Sequence, residues 1–221
     1  MTFLSRLLLF FPALMVGIVG LLFILMCAAN SGLEALLYLL LFVLTLYGLP
    51  LLIYRLHNRF YPIAEGVSYL QGKAYSPWWS SHQIQLIYIA FPGLETLLRL
   101  VPGVFSVWLR LWGAKIGRQV YWSPGLELAD RGLLIVGDRA IIGHRVGLYA
   151  HVIKPKRNNL LLYVKPIQIG SDAFIGSASR IGPGVVIAPG DYVPVTSDFF
   201  PNQKGTAEPA NSFSETSQCA D

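Results

Sequence analysis

The chain reads as a parallel β-helix of six-residue repeats standing behind a pair of apolar helices, and three observations predict it. From Ile116 onward, apolar side chains return at every sixth position. Before Arg55 the only charged residues are Arg6 and Glu34, so lipid-soluble and water-soluble segments follow one another instead of interleaving. Finally, 54% of the 221 residues are hydrophobic and 13% are charged. Soluble domains carry about 25% charged residues, which argues against an ordinary soluble globule, and the hydrophobicity excludes a disordered chain.

The first element is a helical hairpin over 1–54. Leu7 to Ala29 and Leu33 to Tyr54 are long apolar runs, broken only by Glu34 at the edge of the second. At about 1.5 Å per residue each helix reaches ~33 Å, enough to cross a hydrocarbon layer of ~30 Å. Asn30-Ser31-Gly32 forms the polar turn between them. Met26 stands where a lipobox before Cys27 would need a small residue, and a cleaved leader leaves the second run unexplained. Arg6 precedes the first helix, while Arg55, His57 and Arg59 follow the second. The positive-inside rule therefore places both ends, and everything after residue 55, on the cytoplasmic side of an inner membrane.

The join, 55–112, holds Trp78-Trp79 and three short apolar pieces separated by Pro92-Gly93 and Pro102-Gly103. Pro-Gly pairs stop one helix and start another. These helices either lie at the bilayer interface, where Trp and Arg are favoured, or cap the domain that follows. His57 and His82 read as polar residues of that interface.

The repeat occupies 113–198. Its anchors are Ile116, Trp122, Leu128 and Leu134, then Val136, Ile142 and Leu148 after a two-residue slip, then Ile169, Ile175, Ile181, Ile187 and Val193. Gly117, Gly137, Gly143, Gly170, Gly176 and Gly182 follow six of them. Neither a helix of period 3.6 nor a strand of period two produces this spacing. Short strands joined by tight turns do, with each coil burying its apolar face against the next. Residues 199–221 form a polar tail without periodicity, expected to be flexible. Cys27 and Cys219 stand apart, which excludes a disulfide framework and a Cys-based zinc cluster. The net charge of +5 comes with no basic stripe interleaved with aromatics, so no nucleic-acid partner is expected.

The segments Gly113-Ala114-Lys115-Ile116-Gly117, Val136-Gly137-Asp138, Lys165-Pro166-Ile167-Gln168-Ile169-Gly170 and Ile181-Gly182-Pro183-Gly184-Val185 resemble the hexapeptide-repeat acyltransferases, most nearly those of maltose, galactoside and colanic-acid type. The resemblance spans about Ala114 to Asp198. It implies a left-handed parallel β-helix with three hexapeptides per coil, a homotrimer, and acetyl-CoA or another acyl-CoA as co-substrate with no metal.

In that family a loop leaves the prism directly after the catalytic histidine and before a Lys-Pro pair. Here the repeat breaks between Leu148 and Ile169, and His151 falls at the histidine's place, ahead of Lys165-Pro166. The resemblance makes His151 the general base, although its approach is shorter than the family's and Val152 follows it. An unperturbed imidazole titrates near 6.5, so it can take a hydroxyl proton at neutral pH. By position, Gly176, Ser177 and Ala178 supply the oxyanion amide and coenzyme contacts, with Lys165 and Arg180 as phosphate ligands. His144 is the other histidine of the repeat, read as solvent-facing. Tyr149, Lys154, Lys156 and Arg157 are possible acceptor or phosphate contacts, though Lys and Arg in a loop are also expected simply to be solvated.

An anchored enzyme points to an acceptor held at the bilayer: a lipid-linked saccharide, glycolipid or other amphiphile. The expected function is acyl transfer from acyl-CoA to a hydroxyl of such a molecule. The alternative is a non-catalytic membrane-anchored trimeric scaffold. A γ-type carbonic anhydrase shares the fold but needs three zinc-binding histidines, and the repeats hold only His144 and His151.

Overall fold

The computed structural model describes residues 2–71 and 74–205. Its N-terminal part is an apolar hairpin. Helices α1 (Phe3–Leu9) and α2 (Phe11–Cys27) run as one span, and α3 (Gly32–Val43) passes through a π turn at Leu44–Gly48 into α4 (Leu49–Phe60). Both spans, Phe3–Cys27 and Gly32–Phe60, are long and apolar enough to cross a membrane, and 11% of each is buried within the chain. Glu34, the lone acid of the hairpin, is a cap: Ser31 Oγ accepts from its N–H at 3.2 Å, and its carboxylate accepts from Asn30 N–H at 2.9 Å.

From α4 the chain forms strand β1 (Gly66–Tyr69) and helices α5 (Pro77–Ala90), α6 (Gly93–Arg99) and α7 (Val104–Leu111). Ser76 caps α5 and Pro77 occupies its first turn. Of the two roles expected for these helices, the fold displays capping. The first-coil anchor Trp122 donates its Nε1–H to Ser106 on α7 at 2.9 Å and packs edge-on against Phe105.

The remainder is a prism. Strands β2 (Lys115–Ile116), β3 (Tyr121–Trp122) and β4 (Glu127–Leu128) make the first coil, and β5 (Leu134–Val136), β6 (Ile141–Ile142) and β7 (Gly147–Leu148) the second. After a hairpin, β8 (His151–Lys156) and β9 (Asn159–Val164), the third coil is β10 (Ile167–Ile169), β11 (Phe174–Ile175) and β12 (Arg180–Ile181). The fourth is β13 (Val186–Ile187), β14 (Tyr192–Val193) and β15 (Asp198–Phe199). These strands assemble into three four-stranded parallel sheets, one per face. That is a parallel β-helix. Its coils are tied by bonds such as Gly117 N–H to Val136 O, Gly137 N–H to Ile169 O and Gly170 N–H to Ile187 O, at 2.7–2.9 Å. The anchors Val136, Ile142, Leu148, Ile169, Ile175, Ile181, Ile187 and Val193 are buried in one stack.

One corner rule builds the coils. Three residues after an anchor the backbone turns left-handed, at Gln119, Gly125, Arg139, Arg145, Asp172, Ala178, Gly184, Gly190, Thr196 and Asn202. Most of these are not glycine, so the prism imposes a conformation that their side chains disfavour. Two anchors on the same face break the rule. After Leu128 the chain makes a 3₁₀ turn, Arg131–Leu133, which is the slip seen in the sequence. After Leu148 it departs into the β8–β9 hairpin.

Two expectations need correction. The insertion from His151 to Lys165 is not a loose loop but an antiparallel sheet of order β1-β9-β8, built jointly with the join. The repeat also runs past residue 198. Phe199 pairs with Ile181, and Gly205 N–H still bonds Val186 O, so 199–205 belong to the prism. The rest of the expected tail, with Cys219, lies outside the described residues.

Candidate active site

The two rule-breaking corners meet. Asp130 lies between Leu128 and the 3₁₀ turn, and His151 opens the hairpin one coil below. Coil stacking brings His151 Nδ1 within 2.7 Å of Asp130 Oδ2. A carboxylate only accepts, so the imidazole donates from Nδ1 and leaves Nε2 as its acceptor nitrogen. Asp130 is 3% exposed and the His151 side chain 16%. The other carboxylate oxygen, Oδ1, accepts from Trp78 Nε1–H at 2.8 Å. The pair is thus held from both sides.

Helix α5 supplies the roof. Trp78 lies 4.4 Å from the His151 ring centroid, and His82, one turn along, stacks on Trp78 at 5.0 Å and meets His151 edge-on at 5.6 Å. Reading His82 as an interfacial residue is therefore wrong: it sits in the site. Burial lowers its pKa below the ordinary imidazole value, opposed by Asp130. Its Nδ1 is shut off from water without a hydrogen-bond partner.

Arg131, next to Asp130, locks the roof in place. Its guanidinium grips Glu95 of α6 through two bonds of 2.6 and 2.9 Å, and its N–H donates to Gln85 of α5 at 2.9 Å. Trp108 Nε1–H completes Glu95 at 3.0 Å. A buried ion pair with all oxygens engaged is costly to break from one side, because the remaining charge is stranded. The site and the helical cap are therefore one packed unit.

The other expected residues are spread over two edges of the prism. Lys165 shares the edge of His151, where its Nζ donates to Asn202 Oδ1 at 3.2 Å. Gly176, Ser177 and Ala178 lie on the next edge, with His144 one coil above them: Ala178 N–H bonds His144 O at 2.8 Å. Within one chain, the expected base and the expected oxyanion amides are thus on different edges. Gly176 N–H is also spent, on Val193 O at 2.8 Å. Arg180 pairs with Asp198 at the exposed surface, which occupies the guanidinium expected to bind phosphate. His144 is exposed, as expected. Tyr149 donates to Glu127, and its phenol is pushed up to about 12 by burial first and then by that carboxylate. Lys154, Lys156 and Arg157 sit exposed at the hairpin tip, where Lys156 Nζ lies 3.2 Å from Tyr69 OH. Among the described residues no group of three or more His, Cys, Asp or Glu is placed to hold a metal ion.

Sequence reasoning missed Asp130, Trp78 and His82. The slip after Leu128 was the available signal for Asp130, since a break in a strict period marks a place where packing yields to something else.

No family model matches the chain. A protein of Escherichia coli (strain K12) named as a colanic acid biosynthesis acetyltransferase, WcaF, is 29% identical over 129 residues, covering 48% of this chain and 71% of that protein. The galactoside O-acetyltransferase of the same organism is 32% identical over 107 residues, covering 45% of this chain and 53% of that protein. Among solved structures, a hexapeptide-repeat acetyltransferase of Vibrio cholerae O1 biovar eltor, complexed with acetyl coenzyme A, aligns with a TM-score of 0.38 at 18% identity, over 54% of this chain and 82% of that one. A galactoside acetyltransferase in complex with coenzyme A aligns with a TM-score of 0.36 at 19% identity, over 51% and 74%. By its sequence, this chain is similar to proteins named as acetyltransferases of colanic-acid and galactoside type.

Proposed function

We propose that the protein is an acyltransferase that moves an acetyl or longer acyl group from acyl-CoA to a hydroxyl of a membrane-associated saccharide, glycolipid or other amphiphile. The observation that carries this reading is the Asp130–His151 pair, built where the prism abandons its own corner geometry. The relatives, both named as acetyltransferases, point the same way.

His151 Nε2 takes the acceptor's hydroxyl proton as its oxygen attacks the thioester carbonyl. The tetrahedral intermediate then collapses, the C–S bond breaks, and the departing thiolate recovers that proton from the imidazolium. Asp130 holds the imidazole in the tautomer that exposes Nε2 and stabilises the cation that forms. Trp78 and His82 cover the pair and keep bulk water from competing as acceptor.

In this reading the rod is left-handed and trimeric, as the family implies. A neighbouring copy then brings its Ser177 edge toward His151, which answers the separation of the two within one chain. Both apolar spans cross an inner membrane with the prism on the cytoplasmic side, where acyl-CoA is made.

Lipid and glycan mass spectrometry of cells expressing the parent or His151→Ala chain tests the function. Loss of an acylated species in the variant, with membrane assembly unchanged, is expected, and its mass increment names the acyl group. Full acylation by the variant overturns the assigned base. Failure of the purified parent to turn over any acyl-CoA favours the scaffold.

A further inference from the structure

A separate cavity lies on another edge of the prism, between the α6–α7 turn and the first coil. Its volume is about 820 Å³, and its lining includes Arg99, Arg110 and Arg118 together with Val104, Val107 and Trp122. No carboxylate lines it and none of the three arginines belongs to an ion pair among the described residues, although Asp138 Oδ1 accepts the backbone N–H of Arg118 at 2.7 Å and Glu95 acts on Arg99 from a distance. Arg99 rests over the Phe105 ring at 4.7 Å and gives Nη2 to Thr96, while its Nε and Nη1 are shut off from water without a partner. Arg110 is fixed by donating to the carbonyls of Ile116 and Gly117. Arg118 is exposed.

Guanidinium groups lining one cavity, none of them in an ion pair among the described residues, form an arrangement that a bound anion neutralises. The anion's chemistry is indicated by what surrounds them. Leu97, Leu100, Val101, Val107 and Leu111 are 49–73% exposed along α6, α7 and the turn between them, an apolar face that a small soluble anion would leave bare. The same chain carries two helices apolar enough to cross a membrane.

We propose that this cavity binds the phosphate headgroup of a membrane lipid, with Arg99 and Arg118 on the phosphate oxygens and the hydrocarbon chains along the α6–α7 face. Planar guanidinium forks match phosphate geometry, and anionic headgroups gather at the cytoplasmic face of membranes. The site stands apart from His151, so it holds or fails independently of the acyl-transfer reading.

Native mass spectrometry of the full chain in detergent tests it, with dioleoyl phosphatidic acid as probe. Dioleoylglycerol serves as the same lipid without phosphate, and inorganic phosphate as the anion without chains. Retention of phosphatidic acid alone is expected. Arg99→Gln and Arg118→Gln should each weaken it about tenfold, the scale of a charge-assisted contact, while Arg145→Gln, which removes the same charge from another edge of the prism, leaves it unchanged. Arg118 is exposed, so its variant keeps the test readable if Arg99→Gln does not fold. Equal binding of dioleoylglycerol would assign the site to the apolar face alone, and equal binding of inorganic phosphate would assign it to a free anion. Either result overturns the proposal, as does unchanged binding in both cavity variants, an equal loss in Arg145→Gln, or no binding by the parent.

Discussion

Two kinds of corner occur in this prism. At the regular ones, such as Arg139, Arg145 and Asp172, a residue takes a left-handed backbone and points to solvent, and the coil closes in six residues. At the irregular ones, after Leu128 and Leu148, the chain spends extra residues, and a carboxylate and an imidazole are brought together under helix α5. Regular corners serve the stacking of coils. The irregular edge gives up that economy, and its polar groups are the buried, paired ones. On the proposed function, this repeat fold separates stability from chemistry by position along one edge.

Removing the imidazole should produce the largest effect. His151→Ala is expected to lower acyl transfer about 10²–10⁴-fold, the span of a general base, and to cost about 1–3 kcal/mol of stability by leaving the buried Asp130 Oδ2 without its donor. Asp130→Asn should come next, at about 10²-fold in kcat. It also alters the pH–rate profile, because the amide no longer favours the Nδ1–H tautomer. A purely structural role for Asp130 would leave the profile's shape intact.

The stacking side of the comparison is tested at Gly170. A Cβ there would come within 2.3 Å of Pro189 N and 2.6 Å of its Cα, both backbone of the next coil. Gly170→Ala must push coils apart, and a loss of about 2–4 kcal/mol by chemical denaturation is expected. At a regular corner the opposite sign is expected: Arg145→Gly relieves a left-handed residue with φ of 55° and should stabilise by up to about 1 kcal/mol. The same replacement at His151 should bring no such gain, since that residue opens an extended strand.

The smallest effect concerns His82. Burial lowers its pKa in the folded state, so the unfolded chain binds the proton more tightly. Stability from this group is present above the unfolded value near 6.5 and declines as pH falls through the window below it. His82→Phe keeps a ring against Trp78 and should flatten that part of the stability–pH curve, as read by melts between pH 5 and 8.

The prism was legible because each anchor obeys one rule: an aliphatic side chain every six residues is buried by the copy of itself one coil away. His151 was nominated as a candidate by the text around it and the break in period. Its partner was not, since Asp130 lies 21 residues upstream and reaches it only through the stacking of coils. Trp78 and His82 were obscured for another reason. Helix α5 lies where it does because of Arg131, Glu95 and Gln85, three polar residues on three different elements, and no periodicity announces such a set. Glu95 came nearest to a signal, as a lone acid in a short apolar helix.

The π turn at Leu44–Gly48 has a mechanical consequence. It leaves Leu46 O free to accept from Tyr88 OH at 2.6 Å, while Tyr47 OH donates to Leu94 O at 2.9 Å, so the second apolar span is stitched to the roof of the site. Under the proposed function, with that span seated in a bilayer, His151 would stand at a set height above the lipid surface and could not swing on a tether. On that reading the protein would measure as well as react: a hydroxyl would be modified when it projects that far from its anchor, and a chemically identical one nearer or farther would be passed over.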